Sequence, residues 1–121
     1  MGRSFHVLSS SPPSMSGQIC IIKTTLPGDW LEAEVGAFSQ QMLDAGAACV
    51  QHSAIRSVYR WEGEVTSSPE WDLQLKIAVS KLQIILTALH QYHPYDTPQI
   101  VWTIADSTDE YSEWVSRSTV E

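Results

Sequence analysis

His93-Pro94-Tyr95-Asp96-Thr97-Pro98 decides how this chain is read. Pro94 lacks an N–H and disfavours helix at the residue before it, so it ends the apolar-striped segment that precedes it. Pro98 shapes a turn, and Ile100–Ala105 then reads as a strand. The same stretch sets an imidazole, a phenol and a carboxylate within four positions.

Working outward from that stretch, Leu82, Ile85, Leu86 and Leu89 fall on one helical face, with Ser80 and Gln83 as a capping box. Before it, Trp71, Leu73, Leu75, Ile77 and Val79 alternate with Asp72, Gln74 and Lys76, which predicts a strand beginning after Pro69. Glu62-Gly63-Glu64 is a hairpin turn in which Gly63 is free to take positive φ. The strand leading into it opens at Ala47-Ala48-Cys49-Val50. From Ile55 it alternates Ile55, Ser57, Tyr59 and Trp61 against Arg56, Val58 and Arg60.

Further upstream, Leu31, Val35, Phe38 and Met42 recur at helical spacing, with Asp29 and Glu32 as the N-cap signature and Gly46 as the stop. Pro27-Gly28-Asp29 is a turn. Ile19-Cys20-Ile21-Ile22, within Gln18–Thr25, is apolar on both faces and predicts a central strand. After the last strand, Ser107 and Glu110 cap a third helix that buries Tyr111, Trp114 and Val115. Met1–Gly17 is Ser/Pro-rich and reads as a flexible tail, with Phe5–Leu8 as a short apolar run capable of docking. The domain then spans 18–118.

The order β-α-β-β-α-β plus a C-terminal helix predicts an α+β, ferredoxin-like sandwich with two helices on one face of an antiparallel sheet. Such an arrangement leaves the other sheet face open, although Trp, Tyr and Val occupy the second and third strands. Burial between subunits is the economical solution. Five Trp in 121 residues point the same way, because broad indole surfaces favour subunit contacts.

The formal charge is −7. Residues 1–61 carry four acids and four bases, whereas residues 62–121 carry ten acids and three bases. That excludes nucleic acid and anionic membrane as expected partners. It is compatible with cation binding and with plain solubility. Two Cys without a CxxC spacing make no disulfide framework. No apolar run reaches the roughly 20 residues a membrane helix needs. The N-terminal stretch lacks a signal-peptide core. A cytoplasmic protein is expected. Walker A, GxGxxG, HExxH and GxSxG motifs are absent from the sequence, so no enzyme class is indicated.

Taken together, Ala47-Ala48-Cys49-Val50, Ser57-Val58-Tyr59-Arg60-Trp61-Glu62-Gly63-Glu64, Lys76, His93–Pro98 and Tyr111-Ser112-Glu113-Trp114-Val115 resemble the CutA family of divalent-cation tolerance proteins. The resemblance covers about residues 18–118. It implies a ferredoxin-like fold and a compact homotrimer whose sheets pack around the threefold axis, in the manner of the PII signalling proteins. It also implies binding of copper or another divalent cation by some members, with no obligatory cofactor and no assigned reaction. The copper ligands proposed in the family correspond here to Cys49 and His93, while Thr24 and Gln99 stand at the two remaining ligand positions.

Each residue also has a plainer role. His93 fits a metal ligand or acid–base group, and equally a cap on the preceding helix C-terminus. Cys49 fits a metal ligand or a small core residue. Lys76, Tyr59, Trp61, Tyr95 and Asp96 are the candidate lining of an intersubunit cleft for a small anionic effector. Lys76 also fits a solvated strand lysine, and Tyr59 and Trp61 fit trimer packing. Three functions are therefore expected in turn: a non-enzymatic copper-binding homotrimer, a PII-like signalling trimer, and a purely structural or interaction trimer.

Overall fold

The run Ile19-Cys20-Ile21-Ile22 becomes the interior of a sheet because it is apolar in both directions. In the computed structural model, which describes residues 17–118, it lies in β1 (Gly17–Pro27). The chain continues through α1 (Glu32–Ala45), β2 (Cys49–Trp61), β3 (Glu64–Ile77), a 3-10 turn at Val79–Lys81, α2 (Leu82–Tyr92), β4 (Ile100–Ser107) and α3 (Asp109–Arg117). The sheet is antiparallel with order β2-β3-β1-β4. This mixed α+β architecture has the element order expected from the sequence. The expected tail lies outside the described residues, with Phe5–Leu8, except for Gly17, which begins β1.

Alternation along β1 sorts two cores. Cys20, Ile22 and Leu26 face α1 and α2, and they pack with Val35, Phe38 and Met42 of α1 and Ile85, Ala88 and Leu89 of α2. Leu73, Leu75 and Ile77 of β3 complete this core and are shut off from solvent. Leu31, expected on the buried face of the first helix, is instead 70% exposed as its N-cap.

The other parity, Ile19 with the partly buried Ile21 and Ala105, packs against Val115, Tyr111 and Trp114 of α3. The third helix therefore covers one end of the sheet face that was expected to stand bare. The rest of that face is polar around Lys23, Asp72, Gln74 and Gln51, with Lys23 and Asp72 forming an ion pair at 3.6 Å.

The β2–β3 hairpin is longer than expected. Pro69 does not precede β3 but lies inside it, opposite Arg56. β1 stops pairing at Pro27–Glu70, so Pro69 sits where β3 has lost its second neighbour and the missing N–H costs little. Gly28 packs directly on this point. A Cβ there would lie 2.3 Å from the Pro69 carbonyl oxygen. At the far end, Glu62 and Gly63 form a two-residue turn with φ of 50° and 83°, the primed geometry that matches strand twist.

The caps differ from the sequence signals. α1 begins at Leu31, whose amide donates to Glu34 Oε1 at 2.7 Å, rather than at Asp29 with Glu32. Ser80 lies in the 3-10 turn with Val79, and α2 starts without a side-chain cap. α3 is capped by Thr108, which accepts from the Tyr111 amide at 3.2 Å, one residue later than Ser107.

Candidate functional site

The loop after α2 is shaped by its prolines. His93 takes φ −70° and ψ 134°, the extended conformation that a following proline favours. Its amide still caps α2, donating to the Leu89 carbonyl at 2.9 Å. The ring turns onto the helix side of the sheet, edge-on to Phe38 at a centroid distance of 6.0 Å. There Nε2 lies 2.9 Å from Oγ1 of Thr24, a fully buried residue of β1.

The Tyr95 amide donates to His93 Nδ1 at 3.2 Å. Nδ1 is therefore the bare nitrogen, and Nε2 carries the proton given to Thr24. Both ring nitrogens are engaged. Burial pulls the His93 pKa below its ordinary value, against a backbone hydrogen bond at Thr25 and the charge of Glu70, so the ring is neutral at pH 7.

From the same loop Tyr95 tilts against His93, with centroids 5.3 Å apart. Its phenol donates to Glu70 Oε2 at 2.7 Å. Ser57 donates to the other oxygen, Oε1, at 2.6 Å. Burial, reinforced by the bond to Glu70, raises the Tyr95 pKa and keeps the phenol protonated. Ser57 and Glu70 meet because the two-residue turn fixes the register: Trp61 pairs with Glu64, and Ile55 with Glu70, one step diagonal to Ser57.

A cavity of about 700 Å³ opens above this network, within the range of small-molecule sites. Tyr59, Trp61, Tyr95 and Asp96 line it, joined by Glu70 and Ser57. Four of the expected cleft residues are thus brought together. Lys76 is not among them. It lies six residues along β3 from Glu70, about 20 Å away, and donates to Gln51. Gln99, one of the non-matching ligand positions, is also in the lining.

The two candidate metal ligands stand apart within one chain. His93 meets Thr24 on the helix side of the sheet. Cys49 pairs with Lys76, which pairs with Ile21. Cys49 therefore projects from the opposite face, beside Tyr111 of α3, whose phenol is pushed up chiefly by burial with the thiol adding to it. Among the described residues no group of three or more His, Cys, Asp and Glu is placed to hold a metal ion.

Sequence reasoning missed Ser57 and Glu70. The signal was present in the Glu62-Gly63 turn, which sets every pair in the ladder. It was lost by starting the strand after Pro69.

The sequence model of the CutA1 divalent ion tolerance protein family matches residues 20–118. The chain belongs to the CutA family. It is 38% identical over 74 residues to the divalent-cation tolerance protein CutA of Pectobacterium atrosepticum, a stretch covering 60% of this chain and 67% of that protein. The crystal structure of CutA1 from Ehrlichia chaffeensis superposes with a TM-score of 0.77 at 29% identity, covering 87% of this chain and 98% of that one. The PII-like protein CutA from Nostoc sp. PCC 7120 does so with a TM-score of 0.71 at 28% identity, covering 83% and 96%. CutA relatives are named as tolerance proteins rather than as enzymes. Among the described residues no helix is long and apolar enough to cross a membrane.

Proposed function

We propose that this CutA protein is a non-enzymatic, cytoplasmic homotrimer that receives a small effector in the cavity at the root of its β2–β3 hairpin. The observation that carries this reading is the convergence of Tyr59, Trp61 and Tyr95 around Glu70 in a space of about 700 Å³. Assembly has its own support. Beyond Glu70 the hairpin has no third strand among the described residues, and two-stranded ribbons are marginal in water. Yet Val58, Trp61 and Val65 there are 60–68% exposed. Edge strand β4 likewise leaves Val101, Trp102 and Ile104 about half exposed. Contacts between copies would cover both surfaces and close the cavity.

Thermal-shift screening of wild type and Trp61→Ala against a metabolite panel tests the effector reading. A stabilising compound whose effect is lost in the variant is expected. A panel without any stabilising compound contradicts it.

Copper(II) tolerance is the second reading, supported by the family to which the chain belongs and by the matching positions Cys49 and His93. Because these side chains leave opposite faces of one sheet, a shared site would have to be built between chains. Calorimetric titration of copper(II) into wild type and His93→Ala tests it. Stoichiometric binding lost in the variant supports a His93 site, and equal affinity in both proteins removes it.

A further inference from the structure

The chemistry of the cavity wall narrows the ligand. Of the described residues lining it, Glu70 and Asp96 are acidic, and none is Lys or Arg. Asp29 adds a third negative charge close enough to act on the Tyr95 phenol. Tyr59, Trp61 and Tyr95 supply aromatic surface to the same space. Of the three bases of the hairpin, none is in the described lining: Arg56 donates to Ser67 at 3.2 Å, Lys76 is held by Gln51 at the far end of the sheet, and Arg60 stands between the lining residues Tyr59 and Trp61 in sequence without itself lining the space.

An anion entering this space would meet two carboxylates without a compensating cation among the described lining residues. An organic cation would meet complementary groups. Aromatic faces attract ammonium groups through their quadrupole, most strongly where water is excluded. A carboxylate adds a charge-assisted contact.

Glu70 is prepared for that role. Ser57 and Tyr95 each donate to one of its oxygens, which fixes the carboxylate in place. Each oxygen keeps further acceptor capacity for a ligand N–H. The Tyr95 hydroxyl is committed to Glu70, so Tyr95 offers the ligand its ring. Metal ions are less well served, because the described lining contains neither His nor Cys and its carboxylates are few. The excess of acids in residues 62–121 gives the surrounding field the same sign.

We infer that the cavity is an organic-ammonium site, in which Glu70 and Asp96 neutralise the cation and Tyr59, Trp61 and Tyr95 enclose its alkyl groups. This rests on the effector reading proposed above and replaces the anionic ligand expected from the sequence.

The test is calorimetric titration of the full chain with choline chloride and putrescine dihydrochloride as ammonium probes and trisodium citrate as the anionic probe. Wild type, Glu70→Gln and Asp96→Asn are compared. Because Glu70→Gln alters the Ser57–Tyr95 network, Asp96→Asn on the exposed loop serves as the second variant, and circular dichroism checks the fold of both. Binding of an ammonium probe, weakened about tenfold or more in each variant and with citrate silent, is the expected result. Citrate binding that is lost in Trp61→Ala, with both ammonium probes silent, would overturn the ligand class while leaving the effector cavity standing. Silence of all three probes together with an empty metabolite screen would overturn both. Ammonium binding unchanged in Glu70→Gln and Asp96→Asn would place the cation elsewhere and defeat the inference.

Discussion

The β2–β3 hairpin is one continuous ladder with two unlike halves. In the inner half, from Cys49–Lys76 to Ile55–Glu70, β3 has β1 on its other side and helices above it. Leu73, Leu75 and Ile77 are wholly buried there. In the outer half, from Arg56–Pro69 to Trp61–Glu64, the same two strands have no further strand beside them among the described residues, and Val58, Trp61 and Val65 face solvent. The pairing chemistry is the same in both. What differs is where β1 ends. A strand's apolar residues belong to the monomer core only as far as its neighbours extend, and beyond that point they become surface available for association. The candidate cavity lies at the boundary, where Glu70 is the last β3 residue paired with β1.

The largest expected effect falls in the inner half. Leu73→Ala should cost about 2–5 kcal/mol by leaving a cavity that the packed helices cannot close, read from chemical denaturation. Trp61→Ala is the matching change in the outer half. It should weaken association by about 2 kcal/mol or more while leaving the secondary structure intact, read by light scattering across a dilution series. If Trp61→Ala instead unfolds the chain without altering its assembly, the two halves are not distinct in the way described.

The boundary itself is probed by Thr24→Val. It removes the hydroxyl that meets His93 Nε2 and leaves that half-buried donor only the backbone hydrogen bond at Thr25. A loss of about 1–2 kcal/mol is expected. The same histidine sets a pH dependence. Its folded pKa lies below the ordinary value near 6.5 because burial disfavours the imidazolium. The unfolded chain therefore binds the proton more readily. This contribution to stability is present above about pH 6.5 and is lost as pH falls through the folded pKa. His93→Gln should flatten the stability profile between neutral and mildly acidic pH in urea titrations. The smallest effect belongs to the hairpin tip. Glu62 sits at φ 50°, and Glu62→Asn should add up to about 1 kcal/mol by relieving a left-handed conformation that suits Asn better.

Much of the inner half was legible. Val35, Phe38 and Met42 recur at helical spacing, and Leu73, Leu75 and Ile77 alternate, because each repeat matches a single buried face. His93 before Pro94 marked the end of α2 for a reason local to the proline ring. The helix starts were less legible. A Ser80–Gln83 pair has the form of a capping box, but the chain forms a 3-10 turn there. Ser107 and Thr108 differ as caps only by where β4 stops.

The site was partly legible. Tyr59, Trp61, Tyr95 and Asp96 were named and converge on the cavity. Their anchor Glu70 was hidden because Pro69 was read as a strand boundary, although an edge position tolerates it. Lys76 shares strand parity with Glu70 but lies at the other end of the ladder. Parity alone assigns a face and says nothing of distance along it. Thr24, read only as a vacant ligand position, is the residue that holds His93.

The exposed outer hairpin fits a surface covered by copies of this chain. Light scattering of the purified wild-type protein across a wide dilution range tests it most directly. A particle of three chain masses that persists on dilution is expected. A stable, folded particle of one chain mass, with the amides of residues 56–69 protected from hydrogen exchange, would contradict it.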